Sequence, residues 1–334
     1  MADINTTTFS DAIKTFYEKR LLMRAIPRYV HGRWAMRPRI NKFGAWEVRR
    51  YGSLAANTTV LIEGTTPAET AAPAPTLITM TPAFYGAWMG FSDLVELQAY
   101  DPIISEMSAI LGEQVGLSAD SIVRDELNTY GTIDYSAGQS AVGTLDSPAH
   151  DISYKDIVQQ YAELEASGAL PADGEDFVVI IHPHTWASLM LDPTFVNMFV
   201  QEAPNSAIRS GYIGRLLRMK FFVSSNAKEW ANVGAGSTTD VYSALFIGRE
   251  SYAILGLAGI EAPKDVDSQG DNGKVLTGQR LNPVEIIVKP VGSSGASDPL
   301  NQRGSLAWKM SLTPEVLNDD WIRVLKHTNG NSDS

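Results

Sequence analysis

"YDPIISEMSAILGEQVGLSADSIVRDELNTYG", residues 100–131, decides how the rest of the chain is read. Asp101 can cap a helix and Pro102 suits its first turn, because the first N–H groups of a helix lack intrahelical partners. Ile103, Met107, Ile110, Leu111, Val115, Ile122 and Leu127 recur at helical spacing, and Gly131 can end the run. About 29 residues at 1.5 Å each give roughly 43 Å, longer than a compact domain usually requires. A helix of that length is expected to span something.

On its N-terminal side lies a different chemistry. From Lys14 to Arg50 there are eleven Lys or Arg residues against Glu18 and Glu47. That window carries +9 and the remainder −20, which together make the net charge of −11. A basic arm on an acidic body suits contact with nucleic acid or with the acidic body of another copy. "TTFSDAIKTFYEKRLLMRAIP" is expected to be helical through Phe9, Ile13, Phe16, Leu21 and Met23, ending at Pro27. "RYVHGRWAMRPRINKFG" has no clean period and reads as an extended arm, outside the core. Tyr29, Trp34 and Trp46 beside arginines have the composition of a base-stacking surface, although such side chains also cover protein. "WEVRRY" and "TLITMT" read as strands of a long hairpin. Between and around them, residues 53–82 hold eight Thr, six Ala and four Pro, with Glu63 and Glu69 as the charges. A two-stranded ribbon of that composition gains little by itself and is expected to lie on a neighbour.

On the C-terminal side the pattern is α/β. "SYKDIVQQYAELEASG" is a capped helix closed by Gly168, and "FVVIIHP" a strand buried on both faces. "HTWASLMLDPTFVNMFVQEA" gives two helices broken at Pro193. "MKFFVSS" and "VYSALFIGRESYAILGL" give three strands, with a tight turn at Gly248–Ser251, and a Gly/Asp/Ser-rich loop runs from Lys264 to Lys274. "PVEIIVKPVG", "GSLAWKM" and "WIRVLKH" read as strands of one closing sheet.

Composition excludes several function classes. The chain has no cysteine, which removes disulfides, thiol nucleophiles and thiolate zinc sites. No run approaches the ~20 apolar residues of a membrane helix, and the first residues do not read as an export signal. Gly138–Thr144 lacks the lysine of a phosphate-binding loop, and no G-x-S-x-G elbow occurs. His182 and His184 flank Pro183 at a strand-to-helix junction. They could face one metal ion, but no carboxylates complete a set, so His182 is expected to open the helix. Asp319 and Asp320 precede a strand, where neighbouring side chains point apart.

The ordered set "FYEKRLLMRAIPRYVHGRWA", "GFSDLVELQAYDPIISEMSAILGEQ", "IIHPHT", "GRLLRMKFFVSSNAKEW" and "DPLNQRGSLAWK…VLNDDWIRVLK" resembles the HK97-type major capsid proteins of tailed double-stranded DNA bacteriophages. The resemblance spans nearly the whole chain. It implies an α+β fold with an N-terminal arm (1–45), an extended hairpin or E-loop (46–92), a spine helix and P-domain (93–146), an A-domain (147–282) and P-domain C-terminal strands with a tail (283–334). The implied protein is a shell subunit forming hexamers and pentamers of an icosahedral capsid, with no catalytic residues, cofactor or metal. Its implied partners are other copies of itself and packaged DNA, with scaffolding, portal and decoration proteins also admitted and no membrane. It would reside in the virion and be assembled in the host bacterial cytoplasm. No motif names a Lys–Asn crosslink. The expected assembly contacts are Arg20, Arg24, Arg28, Arg49, Arg50, Glu63 and Arg303. Arg303, a rigid five-donor fork between the Asp298–Pro299 turn and a strand that Gly304 lets bend, is expected to tie carbonyls or a carboxylate; Arg323 is expected to be the more exposed of the two. Two other readings remain open here: a soluble nucleic-acid-binding protein using residues 14–50, and a metal-dependent enzyme at His182 and His184.

Overall fold

The computed structural model describes residues 29–40, 45–94 (bar 53 and 68), 103–202, 215–257, 284–291 and 299–330 (bar 301). The expected helix over residues 9–26, the Asp101–Pro102 cap and the loop at 264–274 lie outside these residues. The long helix is present as Ile103–Tyr130, 28 residues. It ends where expected, but Gly131 serves close approach: a Cβ there would meet the Leu127 carbonyl at 2.8 Å and Val324 at 2.8 Å.

The side chains that this helix contributes to the main hydrophobic core are Leu111, Val115, Ala119, Val123 and Leu127, four residues apart each time. At about 100° per residue, each step of four turns the stripe by about 40°, so it winds about 160° around the helix. Winding lets one helix serve more than one sheet. Toward its start, Gln114 accepts a hydrogen bond from the Trp308 indole at 3.1 Å, in the antiparallel sheet Val284–Lys289, Arg303–Ser311, Phe84–Ser92. Toward its end, buried Asn128 accepts from Ser243 of the seven-stranded sheet. A single straight stripe placed Ile110 inside; the winding puts it outside, 54% exposed.

The seven-stranded sheet runs Thr132–Tyr135, Ile322–His327, Val241–Ile247, Phe177–Ile181, Met219–Val223, Arg215–Leu216, with Glu229–Trp230 pairing beside Val241–Ile247. Phe177–Ile181 is central and wholly buried, as its unbroken apolar run predicts. Val178 and Ile180 face the long helix, while Phe177, Val179 and Ile181 face the helices Tyr154–Ala166, Pro183–Leu191 and Pro193–Glu202. The first of these carries the expected cap, a reciprocal Ser153–Asp156 box. One sheet assignment differs from expectation. Ile322–His327 joins the seven-stranded sheet and is no part of a closing sheet with Val284–Lys289 and Arg303–Ser311. The tight turn expected at Gly248–Ser251 is present, and after it Tyr252–Leu257 leaves to pair with Thr313–Val316 and Arg39–Ile40.

The segment after residue 28 is core, contrary to the extended arm expected. Tyr29, Val30 and His31 are buried. Asp120, buried in the long helix, receives four hydrogen bonds: to Oδ1 from the Val30 and His31 N–H groups, both 2.7 Å, and to Oδ2 from His31 Nδ1 at 2.8 Å and Asn226 at 2.9 Å. Tyr252 donates its hydroxyl to the His31 carbonyl, and Arg37 donates to the Gly32 carbonyl at 2.8 Å. Arginine is used here inside the chain, which a charge count cannot show. Burial by itself raises the Asp120 pKa, but the facing His31 and these hydrogen bonds hold it below the usual carboxylate value. A lowered carboxylate pKa stabilises the fold above the unfolded value near ~4, and that stability is lost as pH falls through the folded pKa. Asp120→Ala is therefore expected to cost about 3–5 kcal/mol at neutral pH, read by denaturant unfolding, because it leaves buried donors unpaired. A loss below ~1 kcal/mol would contradict this account.

Candidate assembly surfaces

Trp46–Arg50 and Thr76–Met80 form the expected hairpin, in register from Trp46 opposite Met80 to Arg50 opposite Thr76. Its root is fixed: Met80 is fully buried with Ala253 and Leu255, and Trp46 and Leu317 pack beside them. Beyond Arg50 and Thr76 there is no ladder between the described residues. Tyr51, Leu54, Val60, Leu61 and Ile62 stand exposed, and Val60 is 84% so. The tip is a turn in which the Thr65 N–H donates to the Ile62 carbonyl at 3.2 Å. Gly64, at φ +79°, supplies the left-handed third residue of a type II turn. Glu63 sits exposed beside it. Burying an apolar side chain yields about 1.5–3 kcal/mol, and this ribbon leaves that gain unrealised within its own chain.

Of the expected contact residues on the hairpin, Arg49 is exposed opposite Leu77. Arg50 is engaged inside its own chain. It lies 3.6 Å from Asp319 and 3.8 Å from Asp320, and donates to the Leu317 carbonyl at 3.5 Å. Asp319 and Asp320 thus brace the base of the hairpin, a pairing 270 positions long that no local pattern announces. The carboxylates are about two-thirds exposed, so each contact is weak. Arg20, Arg24 and Arg28 lie outside the described residues.

Arg303 opens its strand opposite Ser92 and is exposed. Arg323, expected to be the more exposed, is the more buried: its side chain is 13% exposed, 2.7 Å from Glu163 and 3.4 Å from Asp134. Its strand pairs on both sides, with Val241–Ile247 and Thr132–Tyr135, and this closes over the guanidinium. Gly304 is required by packing and not by a bend, since a Cβ there would strike the Phe91 ring at 2.4 Å. The outer face of this three-stranded sheet is apolar at its centre. Phe84, Trp88 and Ile287 are exposed, Trp88 by 71%. Lys309 sits over the Phe84 ring at 4.7 Å, and Lys289 and Arg303 share the exposed rim.

The chemistry considered for the histidines resolves into packing. His182 caps the helix Pro183–Leu191, accepting from the His184 N–H at 3.2 Å. Its ring lies 4.9 Å from His184 and 5.2 Å from Tyr242. Among the described residues no group of three or more His, Asp or Glu side chains is placed to hold a metal ion. His327, fully buried, donates from Nδ1 to the Thr328 carbonyl at 2.9 Å and faces the Thr185 hydroxyl at 3.3 Å. A cleft of about 400 Å³ between Asp151, Asp156 and Asp192 is likewise structural. Asp156 accepts from Ser153, Ser136 and Ala137, and Asp192 from the N–H groups of Tyr154 and Thr194. The aromatics considered for stacking on bases are occupied: Trp34 packs on Phe222 at 4.6 Å, Tyr29 is buried, and Trp46 packs at the hairpin root. No helix among the described residues is long and apolar enough to cross a membrane.

No family model matches the chain, and no curated protein matches it by sequence. Solved structures do match. A chain of the cyanophage Pam1 capsid asymmetric unit superposes with a TM-score of 0.64 at 12% identity, covering 92% of this chain and 93% of that one. The capsid of cyanophage P-SCSP1u gives 0.62 at 12% identity, over 89% and 87%. The capsid of Ralstonia phage GP4 gives 0.60 at 12% identity, over 90% and 88%. At these identities the likeness is one of fold, and the fold is the α+β HK97 type of phage capsid proteins.

Two measurements check these placements. Arg323→Ala is expected to lower subunit stability by about 1–2 kcal/mol through its lost carboxylate contacts, and Arg303→Ala by no more than ~0.5 kcal/mol. Equal effects in a denaturant titration would refute the burial argument. Burial pushes the His327 pKa down to about 4, and burial with the neighbouring His184 does the same for half-buried His182. A lowered histidine pKa means the unfolded chain takes up protons first, near ~6.5. Stability should thus be full above that value and decline as pH falls toward about 4. His327→Asn should flatten the decline; an unchanged slope would argue against His327 as its source.

Proposed function

We propose that the chain is the major capsid subunit of a tailed bacteriophage, copies of which join as hexamers and pentamers into an icosahedral shell around double-stranded DNA. One observation carries the reading beyond the shared fold: the hairpin exposes Val60, Leu61 and Ile62 in succession on a ribbon with a buried root and no core of its own. Such a strip is a cost in a monomer and an asset between copies. The matching surface on the next copy is the outer sheet face around Trp88. Glu63 and Glu69 on the ribbon complement Lys289, Arg303 and Lys309 on the rim, which steers and orients the contact. Arg303 and Arg49 act in this reading between copies, and Arg20, Arg24 and Arg28 add contacts or face the packaged genome. Repeated by symmetry, modest contacts accumulate over the shell.

The role is structural and takes no cofactor. Scaffolding, portal and decoration proteins are further partners, and assembly belongs in the host bacterial cytoplasm. The nucleic-acid-binding alternative loses its main support, because Tyr29, Trp34 and Trp46 are committed to protein packing.

Deleting Thr58 to Thr76, or introducing Leu61→Asp with Ile62→Asp, is expected to leave a folded subunit whose melting temperature stays within about 3 °C of wild type. Closed shells should be absent by electron microscopy and sedimentation. Normal shells from either variant would overturn the proposal.

A further inference from the structure

The sheet Val284–Lys289, Arg303–Ser311, Phe84–Ser92 has two edges, and they are built differently. The Val284–Lys289 edge is guarded. It carries Glu285 and Lys289 and lies between Pro283 and Pro290, which discourages a further strand. The Phe84–Ser92 edge has neither charge nor proline in nine residues. Its backbone is also oriented for pairing. The Leu312 N–H donates to the Ala83 carbonyl at 3.1 Å, and the Asp93 N–H to the Gln302 carbonyl at 3.0 Å. Hydrogen-bonded pairs alternate along an antiparallel ladder, so the odd positions from 83 to 93 turn their backbone groups toward the strand Arg303–Ser311. Those of Phe84, Gly86, Trp88 and Gly90 point the other way, where no strand among the described residues receives them. Gly86 and Gly90 are exposed, and a glycine has only backbone to expose.

We propose that this edge pairs antiparallel with the same edge of a second copy, about a two-fold axis at Trp88, so that two three-stranded sheets become one continuous sheet. The occupant follows from self-complementarity, which a two-fold contact requires. With Trp88 opposite its mate, Gly86 stands opposite the other copy's Gly90, and each of these pairs closes two hydrogen bonds. On the outer face the central row then reads Ile287, Ala307, Trp88 and the same three in reverse, apolar throughout. On the inner face Tyr85 meets the other copy's Phe91, and Ala87 meets its Met89, an aromatic pair and a small–large pair.

The charges agree with this arrangement. Glu285, Lys289, Arg303 and Lys309 all lie on the two strands away from the seam, so no charge stands opposite a like charge across it. A one-residue slip would oppose Trp88 with Met89, whose backbone groups already serve the ladder within the chain. The pairing uses the edge and leaves the outer face to the hairpin. It stands whether or not the chain builds a shell.

The chain has no cysteine, so single cysteines report the contact. Paired residues of such a ladder have Cα atoms about 5.5 Å apart, within disulfide reach. Full-length Trp88→Cys is expected to oxidise to a covalent dimer on the order of tenfold more than Ile287→Cys, which is exposed on the same face but far from the axis. Phe84→Cys mixed with Ser92→Cys should give the mixed dimer, and neither alone a dimer, which reads both direction and register. Deleting Thr58 to Thr76 from Trp88→Cys should leave its dimer yield unchanged, which separates this contact from the hairpin's. A yield that vanishes with the deletion overturns the proposal in favour of the hairpin contact. No dimer from Trp88→Cys, a yield equal to that of Ile287→Cys, no mixed dimer, or self-dimers of Phe84→Cys or Ser92→Cys overturns it outright.

Discussion

One buried carboxylate organises the molecule. Asp120 sits in the long helix, where an unpaired charge would cost several kcal/mol, and it is tolerated because four donors converge on it. Two of those donors are backbone N–H groups of residues 30 and 31, one is a side chain of the same segment, and one comes from the loop at Asn226. A single group therefore fastens two remote pieces of chain to one helix. The pieces cannot slide independently, since moving any of them strands a buried donor.

That helix in turn imposes the relation between the sheets. Its residues in the main core advance by four instead of alternating between three and four, so the apolar stripe winds and meets a different sheet at each end. The seven-stranded sheet then needs helices on its other face, which its central strand, buried on both sides, already demands.

Much of this was legible beforehand where the signal is local. The capping box at Ser153, the doubly buried run Phe177–Ile181, the helix break at Pro193 and the His182 cap all depend on residues within a few positions of each other. The hairpin was legible too, through its threonine- and proline-rich composition. What local pattern could not reveal was pairing at long range. Tyr29–His31 looked like arm because its neighbours are arginines; its fate is set by an aspartate 90 positions away. Arg303 and Arg323 differ in exposure in the opposite sense to that expected, because exposure depends on which strands flank them. Arg50 found its acids across most of the chain. Ile110 misled because the stripe was assumed straight, an assumption that fails when a helix touches two sheets.

The hairpin's construction has a mechanical side. Its root is clamped by Met80 and Trp46, and the chain from Trp46 to Glu63 can extend for about 55 Å at roughly 3.3 Å per residue. A rotation of about 5° at such a root would carry the tip by up to about 5 Å, while the packed layers behind it stay as they are. Curvature can then be absorbed in the ribbon and spared the core. One sequence can meet neighbours at more than one angle, with the adjustment confined to the part that has least packing to lose.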